Sequence, residues 1–217
     1  MMNERTNPAR RVPLSMPATL ALLVAMAVLV AGCSLATRPA PVKQTYLIEP
    51  AAPAAIARKQ AATLRVGTIN VAAPFRARSF VVREGDLRYE TDFYSEFLVA
   101  PAPMIGEATA RALDRAGVFA RVVPPGAPPD ADFVLDGFVG ALYEDRREPG
   151  RPAAAIAITY YLARADGAPP FWSKEYRQSV ALAGNSTDAY AAALSTGFGA
   201  IMVELARDLE GIELPKR

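Results

Sequence analysis

Residues 132–143 read DFVLDGFVGALY, residues 153–164 read AAAIAITYYLAR and residues 171–183 read FWSKEYRQSVALA. Each is a long strand candidate. The segments between them, Arg146–Pro152 and Ala165–Pro170, are rich in turn formers. Three consecutive strands with short connections imply an antiparallel meander. Downstream, Tyr190, Leu194, Phe198, Ile201, Met202, Leu205 and Leu209 recur at helical spacing, so a helix is predicted over 187–209. Ser186 or Asn185 can cap it and Asp188 complements its dipole. Gly197 and Gly199 interrupt that helix, which implies a bend or a close approach there.

Working upstream, Phe119–Val123 is a strand preceding the surface loop Pro124–Asp130. Before it, Pro101–Ala116 predicts a helix, with its prolines in the first turn, an apolar stripe of Ile105, Ala108, Ala112, Leu113 and Ala116, and Gly117 at its stop. Phe80–Val82 and Leu87–Tyr89 flank the turn Arg83–Asp86, and Phe93–Val99 extends that hairpin. Thr63–Val71 and Thr45–Ile48 are further strands, with the alanine-rich Ala51–Ala62 between them as a loop or frayed turn. The fold class that follows is α+β. It is a two-layer sandwich of a mostly antiparallel sheet with two main helices on one face.

Composition excludes whole classes of chemistry. Among 217 residues there is no histidine and a single cysteine. Ser-His-Asp triads, Cys-His dyads and His-ligated zinc or haem are therefore ruled out. So are an intramolecular disulfide and a Cys₄ cluster. A formal charge of +2 gives no basis for a nucleic-acid surface.

The N-terminus reads as an address. Arg5, Arg10 and Arg11 precede an uncharged apolar run, Ala18–Ala31, whose 14 residues fall short of a membrane span. Val30-Ala31-Gly32-Cys33 follows, and it resembles the lipobox of bacterial lipoproteins. That motif cleaves between Gly32 and Cys33, and the Cys33 thiol forms a thioether to a diacylglycerol. Residues 1–32 are then a signal peptide, and their removal leaves acids and bases equal in number. Residues 33–43 carry Pro39 and Pro41 and read as a short tether, reaching roughly 30 Å at most from the bilayer. Residues 44–217 form one domain. Ser34 stands where inner-membrane-retained lipoproteins carry Asp, so the resemblance implies outer-membrane sorting.

The remaining candidates are acids and aromatics. Glu84 with Asp86, Asp130 with Asp132, and Glu144 with Asp145 are paired carboxylates, the residue type of glycoside hydrolysis. Each pair borders a strand end or turn, where a solvated acid is the default. Ser173-Lys174 occupies a strand, whose alternation points the two side chains to opposite faces and so prevents a dyad. No catalytic, metal or cofactor residue is assigned. Tyr89, Phe93, Tyr94 and Phe97 either pack the core or form an exposed partner surface.

The mature chain as a whole resembles the ABC-type transport auxiliary lipoprotein family, which includes PqiC-like outer-membrane lipoproteins. Gln44-Thr45-Tyr46-Leu47-Ile48, Leu87-Arg88-Tyr89 with 97–103, Ala131–Gly137 and the closing helix from Tyr190 carry the resemblance. It implies a non-enzymatic periplasmic accessory held in the outer membrane through Cys33. Such an accessory docks the bridge of an ABC or MCE-domain system that moves lipids or other hydrophobic molecules, and a symmetric homo-oligomer is among the arrangements the resemblance implies. The rival expectations are a periplasmic lipid carrier and a carboxylate hydrolase of cell-wall glycans.

Overall fold

The computed structural model describes Leu20 and residues 42–51, 53–57, 59–127 and 130–215. The chain divides into two units, Met1–Pro41 and Val42–Arg217, and the elements below belong to the second. In chain order they are β1 (Gln44–Tyr46), β2 (Gln60–Val71), a 3₁₀ turn (Ala73–Phe75), β3 (Ser79–Arg83) and β4 (Tyr89–Phe97). Then come α1 (Pro101–Ala116), β5 (Phe119–Val123), β6 (Phe133–Asp145), β7 (Ala153–Arg164), β8 (Trp172–Ala181) and α2 (Thr187–Gly211).

The predicted meander is present. β6 pairs antiparallel with β7 along its whole length, and β7 pairs antiparallel with β8. The other edge of β6 is shared. Its first half pairs parallel with β2 (Leu64 opposite Phe133, Val71 opposite Val139), and its end pairs parallel with β3 (Val82 opposite Glu144). The sheet forks there. One branch continues from β2 to β5, and the other from β3 through β4 to β1.

The sheet is therefore mixed. The longest ladders are antiparallel, but β1–β4, β2–β5, β2–β6 and β3–β6 are parallel joins. Parallel neighbours require crossover connections, and α1 lies within those that join β2 to β5, β2 to β6 and β3 to β6. Two boundaries also differ from expectation. The alanine-rich segment enters β2 already at Gln60, and Tyr89–Phe97 is one strand rather than two.

Both helices cover the same face. In β7, Ile156, Ile158, Tyr160 and Leu162 alternate inward and are buried to 1% exposure or less. On α1, buried Thr109 meets the Tyr160 hydroxyl at 2.8 Å, and on α2, Asp208 accepts from Tyr176 at 2.5 Å. Tyr176 lies opposite Ile158, so both helices bond to one row of side chains. α1 ends at Gly117, which adopts φ +70 and donates its N–H to Leu113 and Asp114. α2 begins at Ser186, whose Oγ accepts from the Ala189 N–H at 3.1 Å.

Gly197 and Gly199 mark close approaches. A Cβ at Gly197 would lie 3.3 Å from Gln178 and Val180 side-chain atoms, and one at Gly199 would lie 3.3 Å from the Ala51 backbone. By length and hydropathy α2 resembles a membrane span, but its apolar stripe, from Tyr190 to Leu209, is buried against the sheet.

Candidate functional site

Gly32 and Cys33, the cleavage and lipidation residues, lie outside the described residues, as does the tether up to Pro41. The structure does describe where that tether enters the body. Val42 and Lys43 lead into β1, which pairs parallel with the end of β4, Gln44 opposite Ser95 and Tyr46 opposite Phe97. Tyr46 fixes this short strand. Its ring lies 5.2 Å from Phe80, and its hydroxyl is 2.8 Å from both the Gln44 amide oxygen and Thr187 Oγ1 on α2. Burial against these neighbours raises the Tyr46 phenol above its usual pKa.

The four aromatics anticipated as a partner surface are not brought together. Phe97 is 2% exposed and packs edge-on against Phe80 at 4.7 Å, so it belongs to the core. Tyr89 is partly exposed but committed elsewhere. It stacks edge-on with Tyr143 at 5.7 Å, and the Arg83 guanidinium lies 5.4 Å from its ring. Phe93 and Tyr94 remain, 73% and 47% exposed, with their rings 5.2 Å apart.

A break in the β3–β4 ladder separates them. Ser79 is opposite Glu96, yet Val81 is opposite Thr91, so β4 passes five residues while β3 passes two. The three surplus residues bulge outward. The Asp92 carboxylate holds the bulge, accepting from the Tyr94 and Ser95 N–H groups at 2.7 and 3.1 Å. After this turn Ser95 and Phe97 point inward, while Phe93 and Tyr94 face solvent. Simple strand alternation would have placed Phe93 with Phe97. An Asp immediately before an aromatic pair is the available signal for the turn, and it is a weak one, because Asp also occurs in regular edge strands.

Two of the three acid pairs do converge, where the C-terminal end of β6 meets the β3–β4 turn. Glu84, Asp86, Glu144 and Asp145 all lie there, each beside an arginine. Arg146 binds Glu144 through two hydrogen bonds of 2.6 and 3.1 Å and approaches Glu84 at 3.5 Å. Arg147 binds Asp145 at 2.7 Å and reaches Asp86 at 3.3 Å. The hydrogen bond from Arg147 holds the Asp145 carboxyl below its usual range, the opposite of what a general acid requires.

Asp132 accepts from the Thr63 N–H at 2.9 Å and so closes the start of the β2–β6 join. Ser173 and Lys174 do point to opposite faces, with the Lys174 ammonium on Asp208 at 2.7 Å. Among the described residues no group of three His, Cys, Asp or Glu is placed to hold a metal ion. A cleft of about 750 Å³ lies between the start of β2 and the β7–β8 turn, lined by Ala62, Asp132, Phe133, Arg164, Asp166 and Leu214. It is an open groove with charged walls.

No family model and no curated protein matches the chain. Solved structures do. Protein XCC0632 from Xanthomonas campestris, described as a DUF330 protein, matches at TM-score 0.68 and 19% identity, over 75% of this chain and 92% of that one. An uncharacterized protein matches at TM-score 0.60 and 12% identity, over 77% and 98%. A looser match is lipoprotein GNA1162 from Neisseria meningitidis, at TM-score 0.35 and 13% identity, over 68% and 99%. At these identities the first two share this chain's fold.

Proposed function

We propose that the chain is a lipid-anchored, non-enzymatic accessory of an ABC or MCE-type envelope transport system, holding the transporter's periplasmic end at the outer membrane. The observation that carries this reading is Cys33, the sole cysteine, at the end of an apolar run and immediately after Val-Ala-Gly. Acylated there, the chain is fixed to a membrane by several hydrocarbon chains, and its tether keeps the body within roughly 30 Å of the surface. The body suits a mechanical task. Its acids at the end of β6 are each paired with arginine, and its helix-covered core is built of buried apolar side chains.

A lipid carrier needs an enclosed apolar chamber. The cleft beside Asp132 and Arg164 is open and charged, which favours the tether over the carrier. The test is a pull-down from membranes with wild type and Cys33→Ala. The Cys33→Ala protein is expected to lose its envelope localisation while still capturing the transport components. If neither sample captures a transport component, the proposal fails.

A further inference from the structure

The bulge in β4 stands beside the root of the tether. β1 and β4 are parallel, so Val42 and Lys43 precede Gln44 on the side of Tyr94 and Phe93. The Lys43 ammonium lies 5.6 Å from the centre of the Phe93 ring, and Val42 is 84% exposed. The same strand direction places the β3–β4 turn at the end of the sheet from which the tether enters. That turn carries Leu87, 96% exposed. Val42, Phe93 and Tyr94 thus stand in water at the root of the tether, while Leu87 lies six residues before Phe93 in a turn it shares with Glu84, Asp86 and Arg88.

We propose that this end seats on the lipid bilayer, with Phe93 and Tyr94 inserted at the headgroup–acyl boundary beside the acyl anchor. The proposal rests on acylation of Cys33. The length of chain between Cys33 and Gln44 selects the occupant. The bulge is rooted next to Val42, nine residues from the anchored cysteine, so the bilayer is the surface it meets at high local concentration. Tyr94, with an apolar ring and a polar hydroxyl, favours that depth, and Phe93 beside it adds apolar surface.

The charges around the bulge cancel. Glu96 is paired with Lys43 at 3.0 Å and with Arg78 at 2.7 Å, the Asp92 carboxylate is turned onto backbone N–H groups, and Arg88 approaches Glu90 at 3.7 Å. Seating is therefore apolar in origin, the same on neutral and anionic lipid and insensitive to salt. The bulge also supplies rigidity. Two backbone N–H groups donating to one carboxylate fix the turn, so the rings are presented at little further cost in conformational entropy.

The test uses the full lipidated protein in phosphatidylcholine vesicles brominated on the acyl chains. Trp172, the only tryptophan, starts β8 at the far edge of the sheet from β4 and serves as the internal reference. Phe93→Trp adds an emitter at the bulge. Its emission is expected to be quenched several-fold more than that of Trp172 in the unsubstituted protein, and equally at low and high salt. Tyr94→Trp gives a second reading should Phe93→Trp disturb the bulge, and an unchanged Trp172 spectrum reports an intact fold.

Intact-mass measurement of the same sample separates the outcomes. An acylated protein whose added indole stays unquenched overturns the seating and leaves the anchor standing. If that indole is then shielded on adding a transport component, the patch belongs to a protein partner. A protein lacking the acyl mass overturns both.

Discussion

Thr109 and Tyr160 join α1 to the centre of the sheet through a single hydrogen bond of 2.8 Å, and both residues are fully buried. Thr109→Val keeps the shape and the helix propensity but leaves the Tyr160 hydroxyl buried without a partner. Desolvating such a group costs about 1–3 kcal/mol, and a value near 2 is expected here because both residues are fully buried. Tyr160→Phe is milder, at about 1 kcal/mol, since the Thr109 hydroxyl can turn back to the carbonyl of Ile105 one helical turn earlier. The double variant removes both polar groups and should cost no more than the tyrosine change alone. The two substitutions should therefore couple by about 2 kcal/mol. Equilibrium urea unfolding of the four proteins measures this, with an unchanged m value showing that the unfolded states are comparable. Burial also holds the Tyr160 phenol above its ordinary pKa, so its absorbance should not titrate until the fold is lost. Coupling below about 0.3 kcal/mol would show that α1 is held by apolar packing alone and would refute the assignment of this bond as its polar anchor.

Phe97→Ala should destabilise the protein by about 3–5 kcal/mol, whereas Phe93→Ala should stay within about 0.5 kcal/mol. Similar losses from both, in thermal or urea unfolding, would contradict the division of the aromatics by the bulge. Asp92→Ala removes two hydrogen bonds to the backbone and should cost about 1–2 kcal/mol, with faster amide exchange at Tyr94 and Ser95; unchanged exchange would remove the carboxylate from the account. The folded Asp145 carboxyl has a lowered pKa, so the stability it contributes is present above the unfolded value of about 3.9 and is lost as pH falls through the lower folded value. Arg147→Met should flatten that acid limb of the stability profile, and a limb of unchanged slope would show that the pair has no such role.

What was legible in the sequence is what local chemistry encodes. Helix α1 begins and ends where its prolines and Gly117 place it, and α2 starts at Ser186, because capping groups act on their own turn. β7 runs over Ala153–Arg164 as read, because the turn formers on either side bound it. The parallel joins were not legible. Val82 meets Glu144 only because β2 and β3 line up in succession along β6, and pairing across sixty residues leaves no local trace. The bulge was missed for a related reason. The alternation of Tyr89, Phe93 and Phe97 reads as one face, and the slip that separates them depends on Asp92 bonding to backbone two and three residues on. The carboxylate pairs were visible as pairs, but the arginines that bind them were not. Arg146 and Arg147 lie within a turn-rich segment, and their arrangement depends on where β3 ends.

Anchoring depends on what happens to one thiol, that of Cys33. Mass spectrometry of the mature protein extracted from its native envelope tests this directly. The expected result is a chain that begins at Cys33 and carries the added mass of a thioether-linked diacylglycerol. A mature chain that begins elsewhere, or that retains Cys33 as a free thiol, would contradict it.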